Sequence, residues 1–419
     1  MARAGLVSTQ RRPRIVFLTQ FYDPEPVYKG QRFAEFLARA GYEVEVVTGF
    51  PNYPGGKVYQ GYRIRPWQRH CENGIAITRL ALYPSHERSR FGRVLNYASF
   101  MLSAFAYLTF AMRKADLVHA YHPPLTVGLA AVASGIFRRH PVVLDIHDLW
   151  PDALPATGMV THAGVLAAVD RACRWLYRRA RHIVLHSEGF REVLLERGIA
   201  ADRMTAITGW TNEDAAGSPV QAVPAGMRDL PGLKVLYAGN MGPAQALDTV
   251  LDAARLLQDG GKRDEVTFCL LGSGVSLSAL RDRAACLGLR NVAFLPRVPP
   301  TEAGAYLSAA DALLVHLRDD RLFRLNIPSK MQAYMLAGKP VLVGVPGEAA
   351  RLAQAAGCGI AFPPEDPRAL ADAVLALRAM PDRARMDMGE SGRAYYWREL
   401  SMEQGVARLT RVFARICNA

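Results

Sequence analysis

The segment Asn326-Ile-Pro-Ser-Lys-Met-Gln-Ala-Tyr-Met-Leu-Ala-Gly-Lys-Pro340 concentrates residue types that handle phosphate. Pro328 and Ser329 are residues that open helices, and an open helix start carries unpaired N–H groups and a partial positive charge. Lys330 then falls in the first turn, where a cation is normally disfavoured. A lysine held there points to an anion that it and the helix end neutralise together. Two further turns suit the same task. Tyr237-Ala-Gly239-Asn240-Met-Gly242 and Leu271-Gly-Ser273-Gly274 each close an apolar run and precede a helical one. Glycines there admit a phosphate close to backbone N–H groups, though they serve equally for tight turns without a ligand.

In the first half, Lys29-Gly30 lies in a loop after an apolar run, with Gly30 where a helix begins. His119-Ala-Tyr-His122-Pro-Pro124 and Asp145-Ile-His147-Asp148-Leu-Trp-Pro-Asp152 follow two later runs. A lone histidine is usually structural, but histidines and aspartates gathered at two neighbouring strand ends are less easily dismissed. No HExxH accompanies them and no third ligand is evident, so the spacing does not suggest zinc. No GxGxxG follows a strand, which argues against a dinucleotide cofactor.

These clusters need a scaffold that brings distant loops together. Short apolar runs (Ile15–Phe21, Val44–Thr48, Leu117–Tyr121, Val142–Ile146, Ile183–His186) alternate with helical patterns, as in a doubly wound parallel sheet. Residues 213–232, rich in Ala, Gly and Pro, interrupt the alternation. It restarts with Val235–Ala238, Val266–Leu271, Val292–Leu295, Ala312–Leu317 and Val341–Val345. The pattern predicts an α/β chain of two Rossmann-like domains in series. Such sheets bind ligands beyond the carboxyl ends of their strands, and two of them facing across a cleft would enclose a small molecule.

The 419 residues, half of them hydrophobic, are enough for two or three globular domains. A formal net charge of +13 favours an anionic partner: a phosphorylated ligand, an acidic membrane or nucleic acid. No nucleic-acid recognition motif supports the last of these. Six scattered cysteines without a CxxC pair read as reduced cytoplasmic thiols.

With these motifs in hand, the chain resembles the family-4 retaining glycosyltransferases of the GT-B fold, and within them the WbuB-like branch. The likeness is carried by Phe50-Pro-Asn-Tyr-Pro54, by Asp148–Gly158, by Tyr237–Gly242 with Gln245 and Leu247-Asp248, by Phe294–Arg297, by Ala310–Leu317 and by Ile327–Pro340. The resemblance implies an acceptor-side first domain, residues 1–212 with about 397–419 returning to it through the last helix. It implies a nucleotide-sugar-binding second domain, residues 213–396. It also implies metal-independent transfer with retention, by front-side attack assisted by the leaving phosphate. Gly30 matches the loop glycine near the diphosphate and acceptor. His122 matches the histidine that contacts the donor sugar. Gly239 begins the diphosphate-binding turn, and Ser329 and Lys330 lie under the phosphates.

Two features depart from the family. The Arg and Lys that often follow the first glycine are Asn240 and Gln245, and the Glu-x7-Glu pair reads Leu325 and Ala333. The diphosphate then needs another cation, with Lys330 first, Arg297 second and Arg321 or Arg324 after them. The expected catalytic residues are His122 and Lys330. Gly30, Gly239, Asn240, Gly242, Ser273, Arg297, Ser329 and Lys330 are expected around the donor, and Lys29 and Asp148 on the acceptor side.

The expected reaction moves a hexosyl or N-acetylhexosaminyl group from a UDP-sugar to a polyprenyl-diphosphate-linked saccharide in surface polysaccharide synthesis. A soluble enzyme with a small-molecule acceptor and a catalytically silent sugar-nucleotide-binding protein are the alternatives. The uncharged stretch Val94–Met112, flanked by Arg88, Arg90 and Arg93 and by Arg113 and Lys114, reads either as a core helix packed on the sheet or as a helix with one face on the sheet and the other in an anionic membrane interface, with Arg171–Arg181 adding to the patch. The expected location is the cytoplasmic face of the inner membrane, peripheral or monotopic.

Overall fold

The computed structural model describes residues 11–85, 90–152, 154, 162–214 and 223–418. The chain divides into two compact units. One comprises Met1–Leu185, Leu194–Ile207 and Val406–Ala419, and the other His186–Val193 and Thr208–Gly405.

The first unit is built on strands β1 (Arg14–Leu18), β2 (Glu43–Gly49), β3 (Trp67–Glu72), β4 (Ile75–Leu80), β5 (Leu117–Tyr121), β6 (Val142–Ile146), β7 (His182–Leu185) and β8 (Met204–Ala206). They lie in the order β3-β4-β2-β1-β5-β6-β7-β8. Only the β3–β4 pair is antiparallel. β1, β5 and β6 are buried at every residue, which is why they read as unbroken apolar runs rather than alternating ones. The strand order reverses between β1 and β5, so the loops after these two strands diverge and leave a crevice.

The second unit repeats the plan with β9 (Leu233–Asn240), β10 (Val266–Ser273), β11 (Val292–Leu295), β12 (Ala312–His316), β13 (Val341–Gly344) and β14 (Gly359–Ala361). Their order is β11-β10-β9-β12-β13-β14, all parallel, with the reversal between β9 and β12. Tyr237, Leu251, Phe268, Leu314 and Val374 sit in its buried core.

The first strand stops at Leu18 rather than Phe21, and the hairpin β3–β4 went unread in the sequence. Its turn is Asn73-Gly74, both at positive φ (48° and 79°), the geometry that twists two antiparallel strands together. The last helix, Met402–Cys417, begins in the second unit and ends in the first, where Phe413 packs edge-on against Tyr42 and His119. Residues 397–405, expected with the first domain, fall in the second unit.

The helix Arg90–Ala106 runs on into a wider turn, Tyr107–Ala111. Its polar residues point inward. Asn96 is fully buried, accepting from Gln20 (2.6 Å) and donating to Asn52 (3.1 Å) and the Tyr83 carbonyl (2.7 Å). Its apolar residues face both ways: Phe100 and Leu108 are fully buried, while Phe91, Leu102 and Phe110 are 71%, 62% and 79% exposed. Arg88 of the flanking basic group lies outside the described residues.

Candidate active site

In the second unit the structure brings Lys330 onto the β9 turn. Lys330 opens the helix Lys330–Ala337, with Ser329 at the cap position making no side-chain cap bond. Its Nζ donates to the Tyr237 hydroxyl (2.8 Å) and lies 4.3 Å from the centre of the Tyr237 ring. The same hydroxyl donates to the Asn240 carbonyl. Among the described residues no carboxylate pairs with Lys330. Burial pushes its ammonium down to about 8, because a cation removed from water without an anion favours its neutral form. Gly239 has φ +137°, and a Cβ there would lie 2.8 Å from Lys330 Cε. Glycine is therefore required twice, for the backbone conformation and to leave the lysine room.

The neighbouring turn is equally tight. Gly272 stands opposite Gly239 in register and Ser273 opposite Asn240. A Cβ on Gly272 would meet the Gly239 carbonyl at 2.0 Å. Asn240 donates to the Gln245 side chain (3.2 Å), which also accepts the Gly242 N–H (2.9 Å). The two residues that replace the family's cations therefore brace the loop. Tyr334 accepts the Ala238 N–H at 3.0 Å and secures the helix to the strand. Gly239, Asn240, Gly242, Ser273, Ser329 and Lys330 thus share one strand-end region. Arg297 does not join them through any described contact. It stands exposed after β11, two strands from β9. Arg324 is held by Asp319 in a bidentate pair (2.6 and 2.7 Å).

In the first unit Gly30, Lys29 and His122 lie in surroundings that the sequence did not reveal. Gly30 precedes the helix Gln31–Arg39, but the Asp23 carboxylate already accepts the Gln31 N–H there (2.6 Å). An acidic side chain thus occupies the helix start proposed for a diphosphate. Lys29 is 5% exposed and ion-paired with the buried Asp145, so its charge is neutralised inside the protein. His122 is fully buried, and neither ring nitrogen has a partner among the described residues. Its ring lies against Gly128 and near Tyr177. Burial lowers its pKa to about 3, which keeps the imidazole neutral. The His122 backbone N–H is bonded to the Asp145 carbonyl (3.0 Å), and a cis Pro123-Pro124 bond follows.

Asp145 is the centre of this region. Burial alone would raise its pKa, but Lys29 and the bonded His119 and His147 hold it well below the usual carboxylate range. His119 Nε2 is 3.0 Å and His147 Nε2 3.3 Å from its oxygens. His147, 15% exposed, is the member that reaches the surface. Asp148 is exposed beside it, and its carboxyl is raised by the protein packed around it. Among the described residues no group of three or more His, Cys, Asp or Glu is arranged to hold a metal ion.

Sequence reasoning missed Tyr237 as the partner of Lys330 and Asp145 as the partner of Lys29. The partners are 93 and 116 residues apart, and no local spacing signals them.

Against this geometry, comparison with known proteins is specific. Residues 31–210 match the glycosyl transferase 4-like domain and residues 232–379 the glycosyl transferases group 1 domain. The chain is 30% identical over 312 residues to the putative colanic acid biosynthesis glycosyl transferase WcaI of Escherichia coli (strain K12), covering 70% of this chain and 74% of that one. Among solved structures it is similar to sucrose-phosphate synthase from Thermosynechococcus elongatus (TM-score 0.69, 18% identity, 97% and 99% of the two chains). It is also similar to Anabaena HepE in complex with UDP-glucose (TM-score 0.66, 15% identity, 96% and 99%). The chain belongs to the group 1 glycosyltransferases with a 4-like N-terminal domain, and is a nucleotide-sugar-dependent glycosyltransferase of the GT-B fold.

Proposed function

We infer that the protein transfers a hexosyl or N-acetylhexosaminyl group from a UDP-sugar, with retention, to a polyprenyl-diphosphate-linked saccharide in surface polysaccharide synthesis. The observation that carries the donor half is Lys330: a part-buried ammonium that meets a phenol and, among the described residues, no carboxylate, against a glycine turn. The diphosphate would take the place that a carboxylate takes elsewhere. As the glycosidic bond to phosphate breaks, negative charge grows on the departing oxygen. A fixed cation and helix-start amides stabilise that charge without reorganising, typically worth ~10²-fold or more in rate. The attacking hydroxyl passes its proton to the leaving phosphate, so no protein base is required. UDP as carrier is supported by the HepE complex, and the surface-polysaccharide setting by WcaI. A lipid-linked acceptor would place the protein at the cytoplasmic face of the inner membrane.

The test is release of UDP or GDP from a panel of nucleotide sugars by purified protein, with and without polyprenyl-diphosphate saccharides. Acceptor-dependent UDP release that Lys330→Ala lowers ~10²-fold is expected. Tight UDP binding with no turnover on any acceptor would favour a silent binding protein instead.

A further inference from the structure

At the amino ends of β6 and β7, on the far side of the first unit's sheet from the His122 loop, lies a recess of about 580 Å³. Arg139, Arg178, Arg179, Arg181 and Arg203 line it, and no carboxylate does among the described residues. Arg203 is committed, donating to the carbonyls of Tyr177, Arg178 and Ala180. The other four arginines are exposed, and none is in an ion pair among the described residues. Two helices, Leu125–Arg138 and Ala163–Arg179, end here. Basic residues at helix ends are ordinary, since each end carries about half a negative charge. Two ends therefore offset about one arginine of the four, and a surplus of about three positive charges is left. The nearby His182 is lowered to about 4, first by burial and then by Arg415, Arg203 and Arg181.

The rim is apolar. Ile136 and Phe137, just before Arg139, are 48% and 67% exposed. Phe137 packs edge-on against Phe105 (5.9 Å), and Arg138 donates to the Met112 carbonyl (3.0 Å), which joins this rim to the outward-facing Leu102 and Phe110. That helix buries Phe100, Leu108 and the polar Asn96, and still leaves Phe91, Leu102 and Phe110 exposed, so apolar side chains lie on its outward face as well. A free phosphate or nucleotide would satisfy the arginines and leave this surface bare. A phospholipid satisfies both, with phosphate in the recess and acyl chains against Phe137, Phe110 and Leu102.

We propose that the recess formed by Arg139, Arg178, Arg179 and Arg181 is a phospholipid-headgroup site that docks the first unit on an anionic bilayer. The site gives the lipid-linked acceptor of the proposed function a purpose, but its residues are separate from those of the donor site. Flotation of the full chain with phosphatidylcholine vesicles, with or without 30% phosphatidylglycerol, tests it. A basic residue at such a surface contributes a factor of about five, so Arg139→Gln/Arg178→Gln/Arg181→Gln should lower partitioning about a hundredfold. UDP affinity and melting temperature should be unchanged. Charge reversal to Glu should abolish binding, and Phe110→Ser/Phe137→Ser should weaken it even at low salt.

Three results would overturn the proposal: full flotation of the triple variant, loss of binding only with the phenylalanine changes, or pyrophosphate binding at the arginines by a chain that floats with no vesicle. Nucleotide release is measured in parallel. A chain that floats through the arginines but releases no nucleotide would retain the docking site and refute the proposed reaction, and the converse would do the reverse.

Discussion

Raising the pH from 7 to 9 should weaken nucleoside-diphosphate binding about tenfold. Lys330 is held down to about 8 by burial, so it goes from about nine-tenths protonated at pH 7 to about one-tenth at pH 9. A phosphate's second ionisation lies near 6, so the ligand's own charge is constant across this window. If only the ammonium form binds, the loss is about 1.4 kcal/mol. Linkage makes the effect reciprocal: at pH 9, binding must draw close to one proton from the buffer. Titration calorimetry with UDP at each pH, in two buffers of different ionisation enthalpy, reads both quantities. Lys330→Arg, whose charge is permanent, should bind with little change over the same range, and Lys330→Met weakly at every pH. Wild-type affinity that is constant between pH 7 and 9, with no proton uptake, would remove Lys330 from the diphosphate.

Without ligand, the buried ammonium is a cost. A shift from 10.5 to about 8 corresponds to about 3 kcal/mol in the charged state, present in full below pH 8 and lost as pH rises toward 10.5. Lys330→Met should therefore raise the melting temperature of the unliganded protein at neutral pH, an advantage that shrinks at pH 10. A variant less stable than the wild type at pH 7 would contradict this. Asp145→Asn should destabilise by about 3–5 kcal/mol in urea, because it removes the buried carboxylate paired with the Lys29 ammonium, and adding Lys29→Met should recover much of the loss; an unimproved double variant would deny the pairing. His122→Ala should lower kcat more than UDP affinity if the loop it anchors faces the sugar, whereas collapse of UDP binding with normal residual kcat would refute that placement. Turnover should survive excess EDTA, and loss restored by Mg²⁺ or Mn²⁺ would show a metal requirement.

The double Rossmann plan was legible because strands buried on both faces leave unbroken apolar runs, as β5 and β6 do. The β3–β4 hairpin was missed although Asn73-Gly74 advertises it. Gln68, Arg69 and His70 make β3 polar on its outer edge, so it lacks the apolar run of a buried strand. Lys330 could be read from its place in a first turn, a local property. Lys29 could not be assigned in the same way, because whether a lysine faces a ligand or a buried aspartate depends on residues more than a hundred positions away. Gly30 shows the same limit: Asp23 fills the helix start, and only the folded loop reveals it. The substitutions Asn240 and Gln245 read as losses in the sequence, yet folded they form a brace.

The recess of arginines and the loop after β6 lie at opposite ends of that strand. It is five residues long, or up to about 17 Å at 3.3 Å per residue. With headgroups held at the amino ends, the sheet becomes a ruler. With the strands upright on the bilayer, it would keep the loop after β6, the proposed acceptor side, at a fixed height that no side-chain rearrangement can shorten. A sugar attached directly to the lipid diphosphate would lie too low to be reached, and a chain already extended by a few sugars would stand at the right level. The protein would then count its acceptor by length as well as recognise it by shape, and its place in an assembly sequence would be set by the height of a β-sheet.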